Sequence, residues 1–360
     1  MSNLGGQPDS PENEKTQNQS TQDISAPEAQ SHSQISTGEI EKARHDIQAL
    51  IDNIETSLIG QRDAIEQVLV AFIAGGHVLI EGVPGLGKTL LVKLLATSIK
   101  LDYKRVQFTP DLMPADVTGH SIVNMKSGEF MLKKGPAFTN LLLADEINRA
   151  PAKTQAALLE VMQERQITID GKARMVGNPF MVLATQNPID NEGTYPLPEA
   201  ELDRFMMKVL IDYPSKEDEL VLTKQITHSQ SDKQSGGDAS SAEASAVLDS
   251  EVLGGLTELA QNVIVDDKIM QYAVNIVRST RAWQGIVHGA GVRASIALIQ
   301  AAKVAALMQG QSYVTPDHVK RMVNCVLRHR VTLSAEREIA GVSVDEVLND
   351  LCESVDVPRQ

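Results

Sequence analysis

Short apolar runs closed by turn residues alternate with amphipathic stretches through the middle of the chain. His77-Val-Leu-Ile80, Tyr103-Lys-Arg-Val-Gln-Phe108, Asn140-Leu-Leu-Leu-Ala144 and Phe180-Met-Val-Leu-Ala-Thr185 each have the length and flanking residues of a strand. Strands alternating with helices predict an α/β fold with a parallel, doubly wound sheet. Beyond residue 247 the apolar spacing becomes helical, and helices are expected over residues 252–265, 267–283, 293–309, 316–327 and 344–352. No internal repeat is visible.

Two polar stretches frame these regions. Residues 1–37 are rich in Ser, Gln, Asn, Pro and Glu and contain no aromatic residue. Such a segment buries too little surface to offset its ordering entropy, so a disordered tail is expected. Residues 214–246, which include the Ser- and Gly-rich run from Ser229 to Ser241, read as a linker or a surface insertion. The α/β core is thereby expected over residues 38–213 and the all-helical domain over 247–360.

Composition narrows the functional classes. A chain of 360 residues has room for about two domains. Its net charge of -14 with 42% hydrophobic residues argues against a general binder of phosphate backbones, so no nucleic-acid partner is expected. The longest apolar run, Val68 to Ile80, is broken by Gly75, Gly76 and His77, so no membrane insertion is expected either. Met1-Ser2-Asn3-Leu4 lacks a basic and apolar export signal, and Cys325 and Cys352 form no disulfide framework. A cytoplasmic location is the expectation, and the eight scattered histidines show no zinc-type spacing.

The candidate chemistry begins at Gly82-Val-Pro-Gly-Leu-Gly-Lys88-Thr89, between an expected strand and an expected helix from Leu90 to Lys100. Glycines in this spacing let backbone N–H groups curl around a β-phosphate. Lys88 would reach the β- and γ-phosphates, and Thr89 would offer a hydroxyl to Mg²⁺. The run Leu141-Leu-Leu-Ala-Asp145-Glu146 ends an apolar strand in two acids. Asp145 is suited to hold Mg²⁺ through its water shell and Glu146 to act as general base towards a water, although alone the pair also suits a solvated strand end. At the end of the next strand, Asn187 in Gln186-Asn187-Pro188 is placed to orient that water, although Asn-Pro is also a common turn. Arg204 follows in Leu202-Asp203-Arg204-Phe205, where a surface ion pair is the simpler alternative.

The ordered set Gly82 to Thr89, Asp145-Glu146, Asn187, Leu202 to Phe205 and Gly291-Val-Arg293-Ala resembles the MoxR family of AAA+ ATPases over residues 40–358. Gly60-Gln61, Asp145-Glu-Ile-Asn-Arg-Ala-Pro151, Lys153 to Glu160, Met162-Gln-Glu-Arg165 and Ala184-Thr-Gln-Asn-Pro188 make the resemblance specific. It implies an ATP site comprising Ile59, Gly60, Gln61, Val83, Pro84, Gly85, Leu86, Gly87, Lys88, Thr89, Leu90, Asp145 and Arg293. In that scheme Thr89 and Asp145 attend Mg²⁺, while Glu146, Asn187 and Arg204 are catalytic. Arg204 takes the place of an arginine finger that reaches a neighbouring subunit's γ-phosphate. Arg149 is a further residue that could act between subunits. Arg293 takes the place of the lid arginine that contacts nucleotide, with Gly291-Val292 where the family usually has Ser-Pro. For Ile59 to Gln61, plain helix capping is the alternative.

The resemblance further implies a ring, expected to be a hexamer, and partners bearing von Willebrand factor A-type domains. A chaperone-like remodelling ATPase is the leading expectation. A chelatase-like motor subunit powering metal insertion is the alternative, ahead of a nucleic-acid-stimulated ATPase. The absence of an Asn-Lys-x-Asp motif disfavours a GTPase. Two β-prone segments around Met125-Lys-Ser-Gly128 read as a hairpin, either structural or substrate-engaging. His329, between Arg328 and Arg330, is expected at the lid surface or in an intersubunit contact.

Overall fold

A computed structural model describes residues 35–83, 85–187, 194–231 and 246–358. In chain order they form α1 (Thr37–Glu55), α2 (Arg62–Ile73), β1 (Val78–Gly82), α3 (Lys88–Ser98), β2 (Tyr103–Gln107), α4 (Pro114–Thr118), β3 (Gly119–Val123) and β4 (Phe130–Lys134). Next come β5 (Leu141–Asp145), a 3₁₀ turn (Ile147–Arg149), α5 (Ala152–Glu164), β6 (Gln166–Ile169), β7 (Lys172–Met175), β8 (Met181–Gln186), α6 (Glu199–Leu202), β9 (Met207–Ile211) and α7 (Lys216–Ser231). The C-terminal region contains α8 (Ser250–Asn262), α9 (Asp267–Ser279), β10 (Ile286–His288), α10 (Val292–Met308), α11 (Pro316–Leu327), β11 (Thr332–Leu333), α12 (Ala335–Ile339) and α13 (Val344–Ser354).

The central sheet has the order β2-β5-β8-β1-β9, and every neighbouring pair is parallel. β5 and β8 are apolar along almost their whole length because both faces are covered. Alternation sends Leu141 and Leu143 to one face and Leu142 and Ala144 to the other. The first face shares one core with α1, α2 and α3, and that core continues without a break into α8 to α11 and α13. The second packs on α5 through Leu158, Leu159 and Met162. The expected α/β core and helical region are both present, but one hydrophobic cluster runs through them from Ile40 to Cys352.

Local signals set several boundaries. Ser36 and Glu39 cap α1 reciprocally, with Glu39 N–H donating to Ser36 Oγ at 3.2 Å and Ser36 N–H to Glu39 Oε2 at 2.9 Å. The helix thus begins at Thr37, with its cap Ser36 also inside the expected tail, and residues 1–34 of that tail lie outside the described residues. α7 occupies 216–231, where a linker was expected to begin. The Ser215 hydroxyl accepts the Asp218 N–H at 3.1 Å, and the acids Glu217, Asp218 and Glu219 favour a helix N-terminus. Residues 232–245 lie outside the described residues.

Two antiparallel hairpins flank the sheet. The one expected around Met125 to Gly128 is β3–β4, and its Val123, Met125 and Phe130 are exposed. β6–β7 turns at Asp170-Gly171, both with positive φ, and the sequence reading missed it although Asp-Gly is a strong hairpin signal. The Ser121 hydroxyl donates to Asp170 Oδ2 and joins the two hairpins.

Candidate active site

The phosphate loop is shaped by its glycines and continued by a helix start. Gly85 and Gly87 have φ of +89° and +84°, a region that side chains with a Cβ avoid, and a Cβ on Gly87 would lie 2.7 Å from Leu58. Lys88 opens α3, whose first N–H groups have no partner within the helix and so favour an anion. The Lys88 ammonium donates to the carbonyls of Gly82 and, at 3.3 Å, of Gln186, so it sits across the C-terminal ends of β1 and β8. Burial pulls its pKa down, while Asp145, Glu146 and Glu81 pull it up.

Strand order then assembles the rest. Gly85, Gly87, Lys88, Thr89, Leu90, Arg105, Gln107, Asp145, Glu146, Thr185 and Asn187 line one cavity of about 450 Å³. The expected phosphate-loop residues, both acids and Asn187 are therefore brought together. Val83 and Leu86, within this loop, are half-buried and do not line the cavity, and Pro84 lies outside the described residues. Thr89 and Asp145 both bring hard oxygen ligands to the cavity lining, which fits the chemistry of Mg²⁺.

Three contributors were not foreseen. Arg105 donates through Nε and Nη2 to Asp145 Oδ2 at 3.1 and 2.6 Å. Gln107 Nε2 donates to Glu146 Oε2 at 2.6 Å, and that carboxylate also meets Arg149 Nε at 3.3 Å. Thr185, buried, bonds to both acids. Arg105 and Gln107 alternate along β2, and their shared face was readable from that spacing. Their acid partners were not, because β2 and β5 are neighbours only in the folded sheet.

The remaining expected residues lie elsewhere. Gln61 sits at the N-cap of α2 but makes no side-chain cap; its Nε2 instead donates to Asp212 O at 2.8 Å beyond β9. Gly60, with φ +76°, packs so closely on Asp218 that a Cβ would approach it to 2.9 Å. Ile59, Gly60 and Gln61 thus join α2 to the start of α7 and do not line the phosphate cavity. Arg204 Nη1 donates to Leu159 O at 3.3 Å and to Gln163 Oε1 on α5. Arg293 lies 3.8 Å from Asp203 Oδ2 and lines a separate cavity with Asp203, Arg204, Met206 and Arg330. It does not line the phosphate cavity of its own chain, and its helix α10 packs on α1, α2, α8, α9 and α11.

His329 is buried at the core–lid seam, where its Nε2 donates to Phe205 O at 2.9 Å; the expectation of a lid-surface residue is corrected. Burial, with Arg330 beside it, drives its pKa well down. Its neighbour Arg330 binds Asp203 Oδ1 at 2.7 Å and the carbonyls of Phe205 and Met206 at 2.7 and 3.0 Å. Arg328 forks onto Asp345 at 3.0 and 2.8 Å.

The model of the ATPase family associated with various cellular activities (AAA) matches residues 77–207, and an AAA lid domain model matches residues 278–351. YeaC of Bacillus subtilis (strain 168) is 43% identical over 311 residues, covering 86% of this chain and 94% of that protein. Chaperone MoxR1 of Mycobacterium tuberculosis is 39% identical over 328 residues, covering 88% of this chain and 83% of that one. A crystal structure from Cytophaga hutchinsonii superposes with a TM-score of 0.81 at 38% identity, covering 89% of this chain and 98% of that one. Phosphate loop, paired acids, parallel sheet and helical lid agree with these likenesses: the chain belongs to the MoxR family of AAA+ ATPases.

Proposed function

We propose that this chain hydrolyses ATP as one subunit of a ring and uses the turnover to remodel, assemble or activate protein partners. The observation that carries this reading is a division of cations between two surfaces. Lys88 and Arg105, with Asp145, Glu146 and Asn187, line the phosphate cavity, whereas Arg204 and Arg293 line another with Asp203. Phosphoryl transfer gains most from positive charge placed against the γ-phosphate. Arginines that lie away from their own cavity are available to a neighbour's.

In this reading the α3 N-terminus and Lys88 bind the phosphates, and Leu90, exposed at the cavity edge, borders the bound nucleotide. Glu146 takes a proton from the attacking water, and Asn187 orients that water. When bound, Mg²⁺ neutralises phosphate charge, with Thr89 and Asp145 the residues that would hold it. Ile59 to Gln61 would border the base from the α2–α7 side, and Arg293 would act with Arg204 on the adjacent subunit's nucleotide. A hexamer, and partners with von Willebrand factor A-type domains, accord with the family resemblance.

A mixing experiment tests the division of the site. Lys88→Ala and Arg204→Ala are each expected to be inactive. Mixed, they create interfaces where an intact phosphate loop meets an intact Arg204, and ATPase activity should reappear. Activity in the mixture no greater than the sum of the parts would overturn the ring reading.

A further inference from the structure

We propose that Thr185 is the positioning residue of the hydrolytic site, its hydroxyl fixing both acids through one oxygen. This rests on the proposed role of Glu146 as general base. Thr185 is 1% exposed, on β8, beside the end of β5. Its Oγ1 accepts the backbone N–H of Glu146 at 2.8 Å and donates its own proton to Asp145 Oδ1 at 2.6 Å. The two bonds use the hydroxyl as donor and acceptor at once, which sets the direction of both.

Glu146 requires such an anchor. Its φ of 56° and ψ of 50° place it in the left-handed region, which non-glycine residues avoid. This twist takes the backbone out of β5 into the 3₁₀ turn that begins at Ile147, and it takes the Glu146 N–H out of the sheet ladder. An N–H in such a place needs another acceptor, and Thr185 supplies it. Because the strained backbone conformation decides where the Glu146 carboxylate points, the hydroxyl acts on the base through the main chain. Its other bond satisfies Asp145 Oδ1, leaving Oδ2 to Arg105.

Thr185→Val keeps the shape and removes the hydroxyl, while Thr185→Ser keeps the hydroxyl and removes a methyl. For Thr185→Val, kcat should fall about tenfold or more while KM for ATP stays within about twofold, the pattern of a contact that matters in the transition state. Thr185→Ser should recover most of that kcat. Should Thr185→Val not fold, Thr185→Ala takes its place with the same expected loss. Equal kcat losses in the Val (or Ala) and Ser variants, a loss confined to KM, or an unchanged kcat without the hydroxyl would each overturn the inference. Glu146→Gln, assayed alongside, separates the two layers. A loss there with no loss in Thr185→Val sinks the Thr185 inference alone, whereas normal hydrolysis by Glu146→Gln sinks both.

Discussion

Arg105 and Asp145 form a forked ion pair in which two guanidinium nitrogens, at 3.1 and 2.6 Å, converge on the single oxygen Oδ2. Asp145 is also the carboxylate proposed to attend Mg²⁺, and in that reading the arginine and the cation would compete for one oxygen. The Arg105 side chain is half-exposed, which limits the strength of the pair. Arg105→Ala should lower the Mg²⁺ concentration needed for half-maximal nucleotide binding by about two- to fivefold, equal to about 0.4–1 kcal/mol. Titration of Mg²⁺ against a fluorescent nucleotide reads this, and a raised requirement would mean that Arg105 supports the metal site.

Glu146 is hydrogen-bonded by Gln107 and paired with Arg149, so its side chain already has a defined aim. Replacing it with Gln keeps the shape and removes the basicity. Turnover should drop by about 10²–10⁴-fold with ATP binding preserved. Lys88→Ala should instead abolish binding, because the ammonium is the cation on the phosphate loop itself. Calorimetry with ATP and steady-state kinetics on the two variants distinguish these losses.

Breaking the core–lid seam should be costly. The Arg330 side chain is only 4% exposed and satisfies Asp203 together with the carbonyls of Phe205 and Met206. Arg330→Ala leaves a carboxylate and those carbonyls without their partner, for an expected loss of about 3–5 kcal/mol. Urea unfolding measures it; a loss under about 1 kcal/mol would show that water replaces the guanidinium.

His77 makes stability depend on pH. Its Nδ1 accepts the Val182 N–H and its Nε2 donates to Met162 O, each at 3.0 Å, so the folded ring is neutral. Burial lowers its pKa from 6.5 to about 4. The unfolded chain therefore binds the extra proton first as pH falls. Stability from this group is complete above about 6.5 and is lost on descent towards about 4, up to about 3 kcal/mol in all. His77→Gln should flatten the difference in urea midpoint between pH 7.5 and pH 5; an unchanged slope would assign the acid lability to other groups, His329 among them.

How much of this was readable in advance follows from the range of each signal. Asp145-Glu146 was readable as a candidate pair only in the company of the phosphate loop, because alone two acids also suit a solvated strand end. α7 was read as the start of a linker because its weakly amphipathic sequence carries little periodicity, and its evident signal is the Ser215 to Glu219 cap. His329 looked like a surface residue because charged neighbours on both sides suggest solvent. In the fold those neighbours turn inward, Arg330 to Asp203 and Arg328 to Asp345.

The sequence by itself determined the phosphate loop, the apolar strands and the acids that end β5, since these rest on local spacing and on glycine's access to positive φ. Tertiary structure alone decided what meets them. Arg105 and Thr185, each 40 residues from Asp145 along the chain, reach it because β5 lies between β2 and β8. Arg293 faces Asp203 because of how α10 docks. Such pairings depend on strand order and helix docking, which no local pattern of residues encodes.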